Sequence, residues 1–173
     1  MRIAAAGFVF AVCSSIALAA PGVGSAESSD GRWRVQGQGT DVVVLDAGQP
    51  VKTLAARSLG NGAPSSVSAV RYLPQRRSFA IAFQTLPELW ELSVDPDAPP
   101  IFDGLVHDYR MGEAIAAPGF LGVRRTRLDA PALSIDIDGR GAAYVVVRSA
   151  DAQRWLVNLD VRRAIERLPQ GER

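Results

Sequence analysis

Cysteine is all but missing from this 173-residue chain: Cys13 is the only one, and it lies inside an apolar N-terminal run. Export with removal of that run would leave no thiol, which excludes disulfides, thiolate metal sites, a cysteine nucleophile and a Cys-x-x-Cys-His haem attachment. Histidine is equally scarce. His107 is the only one, so a Ser-His-Asp triad would have to use it, and a multi-histidine metal site cannot be built within one chain. Neither sign of charge is in excess. With 19 basic and 18 acidic residues there is no electrostatic case for nucleic acid or for an anionic membrane. Lysine is reduced to Lys52, every other basic side chain being arginine. After the N-terminal run no apolar stretch is long enough to cross a bilayer as a helix, so the mature chain is expected to be soluble and free of the membrane. Glycine-rich phosphate loops, a serine elbow and paired catalytic carboxylates are also missing from the sequence.

The N-terminus has the order of a secretory signal: Arg2, an apolar core from Ile3 to about Ala20, then small-x-small sites at Ala17-Leu18-Ala19 and Gly24-Ser25-Ala26. The polar "ESSDGR" after Ala26 favours cleavage there. This gives a signal peptide over 1–26 and a single mature domain over 27–173. Cys13 follows Val12 within the core instead of closing it, so lipidation is not expected.

Internal repetition carries most of the fold information. "DGRWRVQGQGTDVVVLDAGQPVKTLA" begins at Asp30, and "DGRGAAYVVVRSADAQRWLVNLDVRRAIERLP" repeats its grammar from Asp138. A middle unit, "PQRRSFAIAFQTLPELWELSVDPDAPPIFDGL", keeps the rhythm with Pro74–Arg77 in the turn. Trp90 and Trp155 stand at matching places, as do Asp46, Asp95 and Asp160. Each unit reads as three strands joined by turns, rich in β-branched and aromatic residues, with Gly, Pro or Asp at the breaks. "SSVSAVRYL" and "APALSIDI" add a preceding strand to the middle and last units. The expected fold is therefore all-β, made of antiparallel four-stranded blade-like repeats in a partial β-propeller. The middle and last blades are expected over about 65–105 and 130–168, and the first lacks its first strand. A β-sandwich with similar strand spacing is the competing reading. "DVRRAIERL" has helical propensity, but its place in the repeat favours a strand or turn.

The segment Ser68 to Asp160, above all "PELWELSVDPDAPPIFDGLVHDYRMGEAIA", resembles the haem-d1 propeller family, the d1 domain of cytochrome cd1 nitrite reductase and related periplasmic proteins. The resemblance implies a periplasmic location and blades of an eight-bladed ring around a modified tetrapyrrole, haem d1 or a relative. Around the distal pocket, where the reductase carries histidines, this chain has Leu73 and Gln84 to Leu86, none of them a proton donor suited to nitrite dehydration. The cytochrome c module and most blades are missing. The implied function is that of a binding or assembly module without nitrite reductase activity of its own. The alternative is a multimeric or partner-completed haem-d1 protein active in nitrite reduction or haem-d1 maturation.

His107, expected after the outer strand of the middle blade, could ligate haem iron with Asp108 or Tyr109 orienting the ring, or could hydrogen-bond within its loop. Tyr109, Arg110, Arg124 and Arg125, with Arg127 in "RRTR", are the candidates for holding tetrapyrrole carboxylates; the plain alternative is a solvated or salt-bridged linker. "DIDG" from Asp136 reads as a hairpin turn, and "DPDAPPIFDG" as an extended turn instead of a metal cage. Trp90 and Trp155 are expected to pack between blades. Too few repeats to close a ring imply a homo-oligomer or a protein partner that completes the propeller.

Overall fold

The computed structural model describes residues 24–102 and 116–169. They form three four-stranded antiparallel sheets, each a meander of consecutive strands, and no α-helix is present among the described residues. The first blade holds β1 (Ser25–Glu27), β2 (Trp33–Gln38), β3 (Asp41–Asp46) and β4 (Gln49–Ala55). The second holds β5 (Val67–Leu73), β6 (Ser78–Phe83), β7 (Glu88–Ser93) and β8 (Val123–Arg127). The third holds β9 (Ala132–Ile137), β10 (Tyr144–Ser149), β11 (Arg154–Asn158) and β12 (Arg163–Leu168). The first strands β1, β5 and β9 touch in succession, which makes them the innermost strands of an arc. The helical propensity of "DVRRAIERL" yields to β12, which pairs with β11.

Two expectations on strand content are corrected. The first blade has its first strand after all: Ser25, Ala26 and Glu27 pair with Gln36, Val35 and Arg34. Three small or polar residues carry no period-two apolar signal, so this strand is visible only through its partner. The fourth strand of the middle blade is not in the stretch before Leu105 but at Val123–Arg127, with Leu89, Trp90 and Glu91 opposite Thr126, Arg125 and Arg124. The long connection containing His107 thus lies inside the second blade, between its third and fourth strands, and not between blades. An outermost strand can be arginine-rich because arginine stems cover apolar surface while their heads reach water.

Repetition is visible in equivalent backbone bonds. The N–H groups of Ala47, Val94 and Leu159 donate to the carbonyls of Arg32, Arg77 and Ala143 at 2.7, 2.8 and 2.8 Å. This register makes Trp90 and Trp155 equivalent, and likewise Asp95 and Asp160. Asp46 sits two positions earlier, where the other blades have Ser93 and Asn158. The Gly39-Thr40 hairpin between β2 and β3 uses a positive φ of 60° at Gly39, which no side chain hinders.

Side chains alternate between the two faces of each blade, and the middle blade is covered on both. Every residue of β6 is buried. Towards the first blade it presents Phe79, Ile81, Phe83, Trp90 and Leu92, which meet Trp33, Val35, Val42 and Val44. Towards the third it presents Ala69, Ala80, Ala82 and Leu89, which meet Ile135, Val145, Val147 and Val157. Burial of each large side chain contributes about 1.5–3 kcal/mol. The single lysine ties the first pair together from outside, Lys52 Nζ donating to the Leu121 carbonyl at 2.9 Å.

Candidate functional site

Polar groups converge at one junction, between the second and third blades. Glu91 lies in β7 on the face towards the third blade and is only 4% exposed. A carboxylate so placed is costly unless every oxygen is engaged. Arg76, from the 3-10 turn Pro74–Arg76 between β5 and β6, donates through Nε to Oε1 at 2.7 Å and through Nη2 to Oε2 at 3.1 Å. Ser78 Oγ adds a third bond at 2.9 Å. Arg76 then crosses the junction, Nη1 donating to Asp160 Oδ1 at 2.8 Å. The Glu91 hydrogen bond, with Asp160 beside it, raises the Arg76 pKa further above its already high value and keeps it a cation. Nearer the axis, Ser68 Oγ of β5 donates to the Ala132 carbonyl of β9 at 2.5 Å.

A groove opens where these turns meet. Its outer part encloses about 480 Å³ between Arg76, Glu91, Ser93 and Arg124 on one side and Ala142 and Asp160 on the other. Its inner part, about 330 Å³, is bounded by Leu73, Pro74 and Ile137 and shares Gln75, Arg76 and Ala142 with the outer part.

The expected site residues fall in several places. His107, Asp108, Tyr109 and Arg110 lie outside the described residues. Arg124 and Arg125 are neighbours on β8, so they address opposite faces and do not act as one group. Arg125 serves packing: its guanidinium lies 4.2 Å from the Trp90 ring centroid and Nη1 reaches the Arg57 carbonyl at 3.1 Å and Glu88 at 3.5 Å. Arg124 stands opposite Glu91 in the ladder, on the groove side. Leu73 and Gln84 do not share a pocket wall here. Leu73 pairs with Ser78 at one end of the β5–β6 ladder and Val67 with Phe83 at the other, and Gln84 follows Phe83, so the two sit about 20 Å apart.

The turn readings hold over the described residues, with Asp103 and Gly104 of "DPDAPPIFDG" lying outside them. Asp138 accepts from the Arg140 N–H at 2.8 Å in the β9–β10 turn, and Asp95 accepts from the Asp97 N–H at 3.1 Å. Among the described residues no three acidic, histidine or cysteine side chains gather as a metal site. Both tryptophans face junctions, Trp90 buried against Phe83 with centroids 4.6 Å apart and Trp155 partly buried against the third blade's side of the second junction. The Arg76–Glu91–Asp160 bridge escapes sequence reading because Arg76 and Asp160 are 84 positions apart. Its one signal is a carboxylate between Trp90 and Leu92 in the most apolar repeat.

No protein-family model matches the sequence, and no curated protein matches it. Among solved structures it is similar to dihydro-heme d1 dehydrogenase NirN in complex with DHE, with a TM-score of 0.61 and 23% identity. The match covers 84% of this chain and 27% of that one, so the chain spans about a quarter of that protein's length. The fold expected from the sequence is the fold observed: three consecutive blades of a partial β-propeller, matching part of that structure.

Proposed function

We propose that this chain is an exported propeller module of haem-d1 type that binds or assembles with a tetrapyrrole-handling partner, and that it does not reduce nitrite by itself. The observation that carries the reading is the three-blade match to a protein solved as a dihydro-heme d1 dehydrogenase. A ring of blades has to be completed before a central opening exists, so binding through this chain calls for further copies or a partner chain. The faces that would meet them are mixed in character. In the third blade the outward row runs Asp136, Val146, Leu156, Glu166, and in the first blade Glu27, Arg34, Leu45, Pro50. Val146, Leu156 and Leu45 in these rows are themselves buried, so what the two faces offer a partner is mainly the flanking Glu27, Pro50, Asp136 and Glu166.

Export to the periplasm rests on the leader. Because Ser25 and Ala26 are hydrogen-bonded members of β1, cleavage after Ala19 keeps the first blade whole, whereas cleavage after Ala26 removes two of its paired residues. Intact-mass measurement of periplasmic protein tests both points: a product beginning at Ala20 is expected, and one retaining Met1 overturns export.

The binding reading is tested on the same preparation by its absorption spectrum, by haem titration beside His107→Ala, and by nitrite consumption. A tetrapyrrole band, or saturable haem binding weakened in the variant, is expected without turnover. Robust nitrite consumption would replace the module by an enzyme, and absence of any tetrapyrrole band or titration would remove the tetrapyrrole.

A further inference from the structure

The groove at the second junction has opposite chemistry at its two ends. β9 is innermost and β8 outermost, so it runs outward across a blade about 14 Å wide at the usual strand spacing. The inner end is largely apolar, with Leu73, Pro74 and a 47%-exposed Ile137, and the one carboxylate in its lining, Asp138, is engaged by the Arg140 N–H at 2.8 Å and its guanidinium at 3.7 Å. At the outer end the acids are already taken: Glu91 and Asp160 by Arg76, and Asp95 by Arg77 at 2.9 Å. Arg124, which faces Glu91 across the ladder, is thereby left with one long bond of 3.4 Å to the Pro99 carbonyl. It has no carboxylate partner among the described residues. A partly buried guanidinium with spare donors is a strong receptor for a carboxylate, which it can grip through two parallel bonds. The two volumes together lie within the range of small-molecule sites, which combine apolar lining with a few fixed polar groups.

We propose that this groove binds an amphipathic small molecule with one terminal carboxylate, the carboxylate on Arg124 and the apolar body against Leu73, Pro74 and Ile137. The exposed Gln75 amide stands between the two ends and adds a donor or acceptor midway. Arg76 is a weaker competitor for the ligand than Arg124, because three of its five N–H groups and its charge are already matched to Glu91 and Asp160. The site lies between two blades, not in the central opening of a ring, and needs neither haem nor ring closure, so its failure and that of the tetrapyrrole reading are separate outcomes.

The test uses the full mature chain without haem and two probes that share an apolar body, decanoate and decylammonium, titrated by calorimetry below their micellar ranges. Decanoate is expected to bind saturably and decylammonium at least about tenfold more weakly, the scale of a charge-assisted hydrogen bond. Arg124→Gln is expected to weaken decanoate by about tenfold with no change in unfolding temperature. Ile137→Ser should weaken both probes. Amide shifts at Gly139 and Ala142 should follow the decanoate isotherm. Lack of saturable decanoate binding, equal or tighter binding of decylammonium, or an Arg124→Gln variant that binds like the wild type would each overturn the proposal.

Discussion

The two junctions of the middle blade join the same kind of sheet by different means. The first is aromatic and dry: Phe79, Phe83, Trp90 and Trp33 fill it, and its polar contacts lie at its margin, where Arg125 covers Trp90 and reaches Arg57. The second has alanines on one side, branched aliphatics on the other, and an ionic bridge at its outer end. At the first junction large rings pack on one another, Phe83 on Trp90 and Trp33 on Phe120. At the second, small residues line the middle blade's face, and the groove opens beside the Arg76–Glu91–Asp160 bridge. Stability is therefore concentrated at the first junction and recognition at the second.

Trp90→Ala should show the difference most strongly. Removing a 1%-exposed indole from the first junction is expected to cost about 3–5 kcal/mol, measured by urea unfolding, with the register-equivalent but partly exposed Trp155→Ala costing less than half as much. Equal losses would dissolve the contrast between the junctions. Next in size is Glu91→Gln, which leaves Arg76 partly unpaired in a tight site and is expected to cost about 2–3 kcal/mol. Its decanoate affinity should change as well, since Arg76 would then turn towards the ligand.

Asp160→Asn breaks the same bridge from its 62%-exposed end and should cost no more than about 0.5 kcal/mol. The asymmetry between the two ends of one bridge is the point of the pair. Smallest is the response to acid. Ser28 holds the Asp30 carboxyl, Arg32 the Asp46 carboxyl and Ser149 the Asp151 carboxyl below the usual range. A lowered pKa in the folded state stabilises above the unfolded value near 4 and is lost as pH falls through the folded one. Protection of the amides in the β1–β2 and β10–β11 turns, measured as exchange relative to the intrinsic rate at each pH, should therefore fall below about pH 4 before either junction opens.

Blade grammar was legible because strands two and three of each repeat are short runs rich in β-branched and aromatic residues, most of them buried over the greater part of their length, as in "SFAIAF" and "YVVVRS". Two strands at the sheet edges, the innermost of the first blade and the outermost of the second, were not. β1 is three residues long, and β8 is displaced by the connection after Ser93, so chain order alone pointed to the wrong stretch. The arginine pair was legible as a cluster and misleading as a site, since adjacent strand positions face apart. Glu91 and Asp160 meet only through Arg76, and that pairing depends on which sheet stacks on which. Nothing within a single repeat encodes it.

One difference between turns has a consequence for how the repeats are ordered. Arg32 holds Asp46 at 2.6 Å and Arg77 holds Asp95 at 2.9 Å, each inside its own blade. Ala143 occupies the corresponding place in the third blade and can supply no such grip, so Asp160 is taken by the neighbour's Arg76. A copy of the first blade set in third position would bring Gly48 where Asp160 now stands, and Arg76 would find no acceptor there. The residues at two turn positions thus work as a weak address: on the scale of an exposed ion pair they bias which module follows which, and a shuffled concatemer of these blades would lose that bias where the acceptor is missing.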